Sequence, residues 1–193
     1  MSVSVLVILL AAAAVMMVIE SRGIRTTLQL SFKGDVKRET AFLAQWGQSV
    51  STPLAALIVW QLDPPRRRDA LLMIGGVLAA SLMCFIVKRL CGRVRPNREN
   101  AGKFLGPSLK HANYRESFPS SHSACAIALS IYLATLYPAA APTFWFLGLM
   151  TALLRYVMDA HFPSDVLGGV AIGYFNGWLA VQAATRWLSH WTI

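Results

Sequence analysis

"SACAIALSIYLATLYPAAAPTFWFLGLMTALL", residues 123–154, runs for 32 positions without a charged side chain. A helix of roughly 20 residues, rising about 1.5 Å per residue, crosses the hydrocarbon core of a bilayer. This stretch is therefore too long for one crossing. Its middle, "LYPAAAPT", carries Pro138 and Pro142, and proline removes a backbone donor and stops a helix. The stretch reads as a helical hairpin of two spans, roughly 121–138 and 142–158.

Four more stretches lack charge for long enough to cross: 2–19, 40–62, 70–87 and 166–185. With the hairpin they predict an all-α polytopic membrane protein, six transmembrane helices in one bundle. The spans are expected at roughly 2–19, 42–62, 69–88, 121–138, 142–158 and 164–185, within a single membrane-embedded domain over 1–193. Composition agrees, with 55% hydrophobic and 14% charged residues against about half and a quarter in soluble proteins. The first stretch has no Lys or Arg ahead of its apolar run and no convincing cleavage site, so it reads as a retained span rather than a signal peptide. There is no internal repeat, no linker and no G-x-x-x-x-G-K-[ST] phosphate loop. Cys84 and Cys125 lie inside spans and Cys91 just outside one, with no C-x-x-C pair, so all three read as free thiols.

The net charge is +9, and eight of the 18 basic residues fall in 88–116: Lys88, Arg89, Arg93, Arg95, Arg98, Lys103, Lys110 and Arg115. For most of these the expected role is a solvated loop touching anionic headgroups. Nucleic acid is a poor partner for a segment tethered between spans and lacking interleaved aromatic stacking residues. A bilayer and an anionic substrate at its surface are the partners the charge implies. No feature of the sequence sets an oligomeric state.

Ionisable residues collect at span edges. Lys88, Arg95, His122, Arg155, His161 and Asp165 all belong to edges that six alternating spans bring to one surface, and ionisable groups at such depth are usually functional. Lys88, Arg95 and Arg155 are three cations suited to phosphate oxygens. Ser120 and the backbone N–H groups of Ser121 and His122 open a helix, where exposed donors and the macrodipole favour an anion. His161 has Asp165 four residues on, a carboxylate placed to accept from one ring nitrogen and aim the other as a nucleophile. His122, beside the anion cradle, suits a proton donor to a departing alkoxide. Two histidines and an aspartate are also ordinary zinc or iron ligands, but three neighbouring cations repel a divalent metal and attract phosphate. No metal and no cofactor is expected.

"KRLCGRVRP" (Lys88–Pro96), "PSSH" (Pro119–His122) and "RYVMDAHFPSD" (Arg155–Asp165) together resemble the signature of the type 2 phosphatidic acid phosphatases, K-x6-R-P, P-S-G-H and S-R-x5-H-x3-D, in order and spacing. The resemblance implies a metal-independent hydrolase working through a phosphohistidine, with an active site similar to that of vanadium-dependent haloperoxidases. It makes His161 the nucleophile, Asp165 its orienting partner and His122 the general acid. Lys88, Arg95, Ser120, Ser121 through its N–H, and Arg155 would hold the phosphate. Two positions depart from the pattern. Ser121 stands where the family has glycine, which narrows the backbone's options, and Leu154 stands where the family has serine.

The resemblance implies a membrane lipid phosphatase acting on a phosphate monoester or pyrophosphate of the phosphatidic acid, phosphatidylglycerophosphate, polyprenyl pyrophosphate or lipid A type. A phosphotransferase using the same phosphohistidine, and a non-catalytic lipid-binding or transport protein, are the alternatives. Counting Lys and Arg places 14 on the active-site side and four on the other, which naively puts the site inside. At least three of the 14 have a phosphate-binding reason to be there, however, and the 88–116 loop is suited to anionic headgroups, whereas the short "DPPRRRD" loop, 63–69, has no catalytic role. The expected location is a bacterial inner (plasma) membrane with the active site facing the periplasm or exterior. Gly169, Gly173 and Gly177 form a small-residue stripe suited to close helix approach. Segment 20–39 is expected along the interface or as a connecting loop.

Overall fold

The computed structural model describes residues 2–30 and 32–187, and among them all regular structure is helical, apart from one isolated bridge between Arg93 and Phe104. The helices are α1 (Val3–Ser21), α2 (Gly34–Leu43), α3 (Ser51–Leu62), α4 (Arg67–Cys91), α5 (Ser121–Leu136), α6 (Ala141–Val157) and α7 (Pro163–Gln182). Helix α7 continues into a π-helical turn at Ala183–Trp187.

Among the described residues, four helices are long and apolar enough to cross a membrane: Val3–Ser21, Pro64–Cys91, Pro138–Val157 and Pro163–Arg186. Helices α3 and α5 are apolar but shorter, at 12 and 16 residues. The uncharged stretch 40–62, expected as one span over 42–62, is not one helix. Helix α2 ends at Leu43, the chain turns through 44–50 with Gly47 at φ 78°, and α3 starts at Ser51. Hydropathy registers the absence of charge but not the left-handed turn that only the tertiary packing of Gly47 against Cys125 and Ala126 requires.

Helix α5 is the axis of the bundle, packed against α4, α6 and α7, with every residue from Ser123 to Leu133 buried. A helix that is apolar all round belongs in an interior. Helix α7 lies closest to it. A Cβ on Gly169, Gly173 or Gly177 would meet the backbone carbonyl of Ser120, Ala124 or Ala128 in turn, so the glycine stripe of α7 interlocks with a four-residue repeat on α5. Helix α1 packs on the outside of α7.

Helix ends fix which surfaces share chemistry. Helix α4 carries Asp69 in its first turn and Lys88 and Arg89 in its last, both favourable to the macrodipole, and closes on Gly92 at φ 60°. At the opposite end of the bundle from Lys88, the Tyr137 hydroxyl donates to Asp63 at 3.1 Å and the Arg66 guanidinium lies over the Tyr137 ring. The loops 22–30, 92–120 and 158–162 gather at the other end. There the Tyr156 hydroxyl donates to the Thr26 carbonyl, the Leu28 amide to Asp159 and Arg95 to the Ala160 carbonyl. Within segment 20–39 the described residues comprise the end of α1, an extended run at 24–30 over the α6–α7 loop, and the first part of α2.

Candidate active site

The long loop after α4 is held by its own backbone. Val94 N donates to Lys103 O at 2.9 Å, Arg95 N to Tyr114 O at 2.8 Å and Ser117 N to Arg93 O at 3.0 Å. This folding sets the Arg95 side chain, whose Nε donates to Asn113 O at 2.8 Å and whose terminal nitrogen donates to Ala160 O at 3.1 Å. Burial draws the Arg95 guanidinium below its ordinary value, with Asp165 and Glu116 opposing.

Helix α5 starts beside α7 because Ser120 N donates to the Asp165 carbonyl at 2.9 Å. The Ser120 hydroxyl caps α5, accepting from Ser123 Oγ at 2.9 Å and more loosely from Ser123 N at 3.4 Å. Ser121 is the first residue of α5, with right-handed backbone and its side chain turned to Cys84. A serine at the family's glycine position therefore meets no positive φ.

Lys88, Arg95, Arg155, His122 and His161 converge closely enough for their charges to act on one another. These five come from α4, the loop after it, α6, α5 and the α6–α7 loop. Arg155 Nε is buried without a hydrogen-bond partner among the described residues. Leu154 is half-buried beside it on α6.

His161 is 1% exposed and Asp165 fully buried. His161 Nδ1 lies 3.6 Å from Asp165 Oδ2, an electrostatic contact beyond hydrogen-bond length, and Nδ1 has no hydrogen-bond partner. Burial pushes the imidazole down to about 4, only partly countered by Asp165. Asp165 is heavily engaged elsewhere. Its Oδ2 accepts from Ser117 Oγ at 2.5 Å and Phe162 N at 2.9 Å, and its Oδ1 from Arg93 at 2.6 Å.

Arg93 and Arg89 correct the reading of 88–116 as mostly solvated. Arg93 is 1% exposed, paired with Glu20 and Asp165, its guanidinium 4.3 Å from the Phe162 ring centroid. Arg89 pairs with Glu116 at 3.2 Å and also donates to the Lys110 carbonyl. The Ala112 amide, His111 and Arg89 hold the Glu116 carboxyl below its ordinary range, against burial acting the other way. Arg93, Ser117 and Glu20 were not legible as site residues. The one available signal was Glu20 itself, a carboxylate ending an apolar span. Among the described residues no three His, Cys, Asp or Glu side chains converge as a metal-binding group.

An all-helical chain with these residues in this order matches one family profile over residues 69–189, the PAP2 superfamily, and the chain belongs to that superfamily. Among curated relatives it is similar to a lipid A 1-phosphatase of Rhizobium etli, 34% identical over 56% of this chain and 46% of the relative. It is likewise similar to a lipid A 1-phosphatase of Rhizobium johnstonii, 33% identical over 56% of this chain and 43% of the relative. A decaprenylphosphoryl-5-phosphoribose phosphatase of Mycolicibacterium smegmatis is 31% identical over 66% of this chain and 67% of the relative. The matched region thus spans less than half of the two lipid A phosphatases. No solved structure matches the chain significantly.

Proposed function

We propose that the protein is a metal-independent membrane lipid phosphatase that removes a phosphate from a lipid A or polyprenyl phosphate type of substrate through a phosphohistidine. The observation that carries this reading is the gathering of Lys88, Arg95 and Arg155 with His122 around the carboxylate-backed His161. The names of the relatives supply the substrate classes.

In the proposed reaction the phosphate lies among Lys88, Arg95, Arg155 and the N–H groups opening α5 at Ser120 and Ser121, where donors and helix dipole favour an anion. His161 Nδ1 faces Asp165, so Nε2 is the attacking atom. It forms a bond to phosphorus as the bond from phosphorus to the lipid oxygen breaks, and His122 gives its proton to that oxygen. Asp165 offsets the positive charge that develops on His161. Water then attacks the phosphohistidine, His122 takes the water's proton, and inorganic phosphate and neutral His161 result.

The architecture of this proposal is a single domain over 1–193 with six spans. Helix α3 covers about 18 Å and α5 about 24 Å at 1.5 Å per residue, so each crosses with its flanking turns. Trp46, in the turn before α3, donates to Ser130 at mid-α5 at 2.8 Å, which supports counting the 44–50 turn as part of the second crossing. The active site is proposed to face the periplasm or exterior of a bacterial inner membrane.

The test is phosphate release by the purified protein from lipid A 1-phosphate and a polyprenyl phosphate in detergent micelles, with EDTA or vanadate added. Turnover that survives EDTA and is inhibited by vanadate, a mimic of phosphoryl transfer, is expected. Activity lost in EDTA and restored by zinc or magnesium overturns the metal-independent mechanism.

A further inference from the structure

Buried between α1, the loop after α4 and the start of α7 is a closed set of charges of which the reaction above uses only Asp165. Arg93 sends one terminal nitrogen to Asp165 Oδ1 at 2.6 Å and to Ser164 Oγ at 2.6 Å, and the other to Glu20 Oε2 at 2.7 Å. Glu20 Oε1 accepts from Ser164 N at 3.1 Å, and the Ser164 hydroxyl donates to Oε2. Side-chain exposure is 2% for Arg93, 3% for Glu20 and none for Asp165. The guanidinium is packed against the rings of Phe162 and Phe104. A planar fork in this setting has one orientation, which a lysine does not reproduce.

We propose that Glu20 and Arg93 form a buried clamp that sets both the position of the carboxylate behind His161 and the net charge of the buried set it belongs to, making the two of them positioning residues for phosphoryl transfer. The proposal rests on the phosphatase reading above. Glu20 lies outside the family match of 69–189, so the clamp gives α1 a role in the reaction centre that the matched region does not contain.

The physical argument is one of balance. Arg93 faces two carboxylates, so the set behind His161 carries one net negative charge. Removing the Glu20 charge leaves Arg93 and Asp165 neutral as a pair, whereas removing the Arg93 charge leaves two uncompensated carboxylates. The two changes act on the imidazole with opposite sign. The other groups facing it stay constant in both variants: Lys88 of α4, Arg95 of the following loop, His122 of α5 and Arg155 of α6. Asp159, two residues before His161, and Glu116, near Arg95, are also unchanged.

The experiment measures kcat and KM against pH for the full chain in detergent, with p-nitrophenyl phosphate and a polyprenyl phosphate as probes. Partners that orient metal-ligating side chains typically contribute about 10- to 100-fold, and a clamp that orients a nucleophile is expected to act on the same scale. Glu20→Gln is expected to lower kcat by about that factor with KM little changed, and to move the acid limb of kcat/KM, which reports protonation of the free enzyme, to lower pH. Arg93→Gln moves the same limb to higher pH. The double variant brings it back towards wild type, and Arg93→Lys retains more activity than Arg93→Gln. A clamp that merely holds α1 in place would reduce activity without opposite limb shifts, so limbs moving the same way, or a Glu20→Gln variant with wild-type kcat and limb, overturn the inference. If Arg93→Gln does not fold, Glu20→Asp replaces it. That variant keeps the charge and should lose kcat without moving the limb, and a limb shift equal to that of Glu20→Gln overturns the proposal. A wild type that releases no phosphate from either probe sinks the phosphatase reading and this inference with it. An active wild type with an indifferent Glu20→Gln sinks the clamp alone.

Discussion

His161 Nδ1 stands 3.6 Å from Asp165 Oδ2, short of a hydrogen bond, because that oxygen already accepts from Ser117 Oγ and the Phe162 amide. Catalytic contacts of this sort often tighten only when substrate is bound. In the proposed reaction the positive charge that appears on His161 at attack supplies the pull.

The two histidines are expected to fail differently when replaced. His161→Ala abolishes turnover and covalent trapping of labelled phosphate. His122→Ala slows lipid substrates, whose alkoxides leave poorly, by about 10² to 10⁴-fold, and an aryl phosphate much less. Parallel kinetics with the two substrate types check this, and equal losses on both contradict the division of roles.

Burial of His161 gives stability a defined pH dependence. Its imidazole is held at about 4, below the ordinary value of about 6.5, so the unfolded chain takes up a proton in this window and the folded protein does not. The sign follows: stability is full above about pH 6.5 and declines as the pH falls towards 4, by up to about 3 kcal/mol for this group. Thermal melts in detergent at pH 7, 5.5 and 4.5 should show the decline in wild type and a shallower one in His161→Gln.

Gly173→Ala is expected to destabilise although alanine is the better helix former by about 1 kcal/mol. The new Cβ meets the Ala124 carbonyl oxygen and lies 3.0 Å from Ala124 C and Cα. Backbone cannot rotate away, and overpacking of this kind costs about 1–3 kcal/mol. Gly75, inside α4 with nothing within 4 Å of its added Cβ, is the control. Gly75→Ala should be neutral or stabilising by up to about 1 kcal/mol in the same melting assay.

The proposed orientation is tested at Cys91, the half-buried last residue of α4, three positions after Lys88. In a Cys84→Ala, Cys125→Ala background a membrane-impermeant thiol reagent should label Cys91 in intact cells. Labelling only after lysis would place the active site in the cytoplasm.

Much of the proposed site was legible in the chain. Lys88, His122 and Arg155 sit at the ends of uncharged runs, and Arg95 and His161 lie eight residues or fewer from one. The edges of helices that alternate in direction must meet, which is why they converge in three dimensions. Arg93 was not legible, because among eight basic residues within 88–116 nothing in local sequence separates a buried cation from solvated ones. Its partners lie 73 residues before it and 72 after it.

Hydropathy is a property of short stretches, and a motif is a property of spacing. The amino-acid sequence by itself therefore determined the all-helical membrane class, the hairpin broken at Pro138 and Pro142, and the residue types of the proposed reaction centre. Pairing across the bundle is a property of neither. Only the tertiary structure decided that the 40–62 stretch breaks at Gly47 where it meets α5, that α7 approaches α5 through its glycines, and that Glu20 reaches Arg93 and, through it, Asp165. A buried charge must find its counter-charge wherever the fold brings one within about 3 Å, and in this chain that counter-charge comes from helices far apart in sequence.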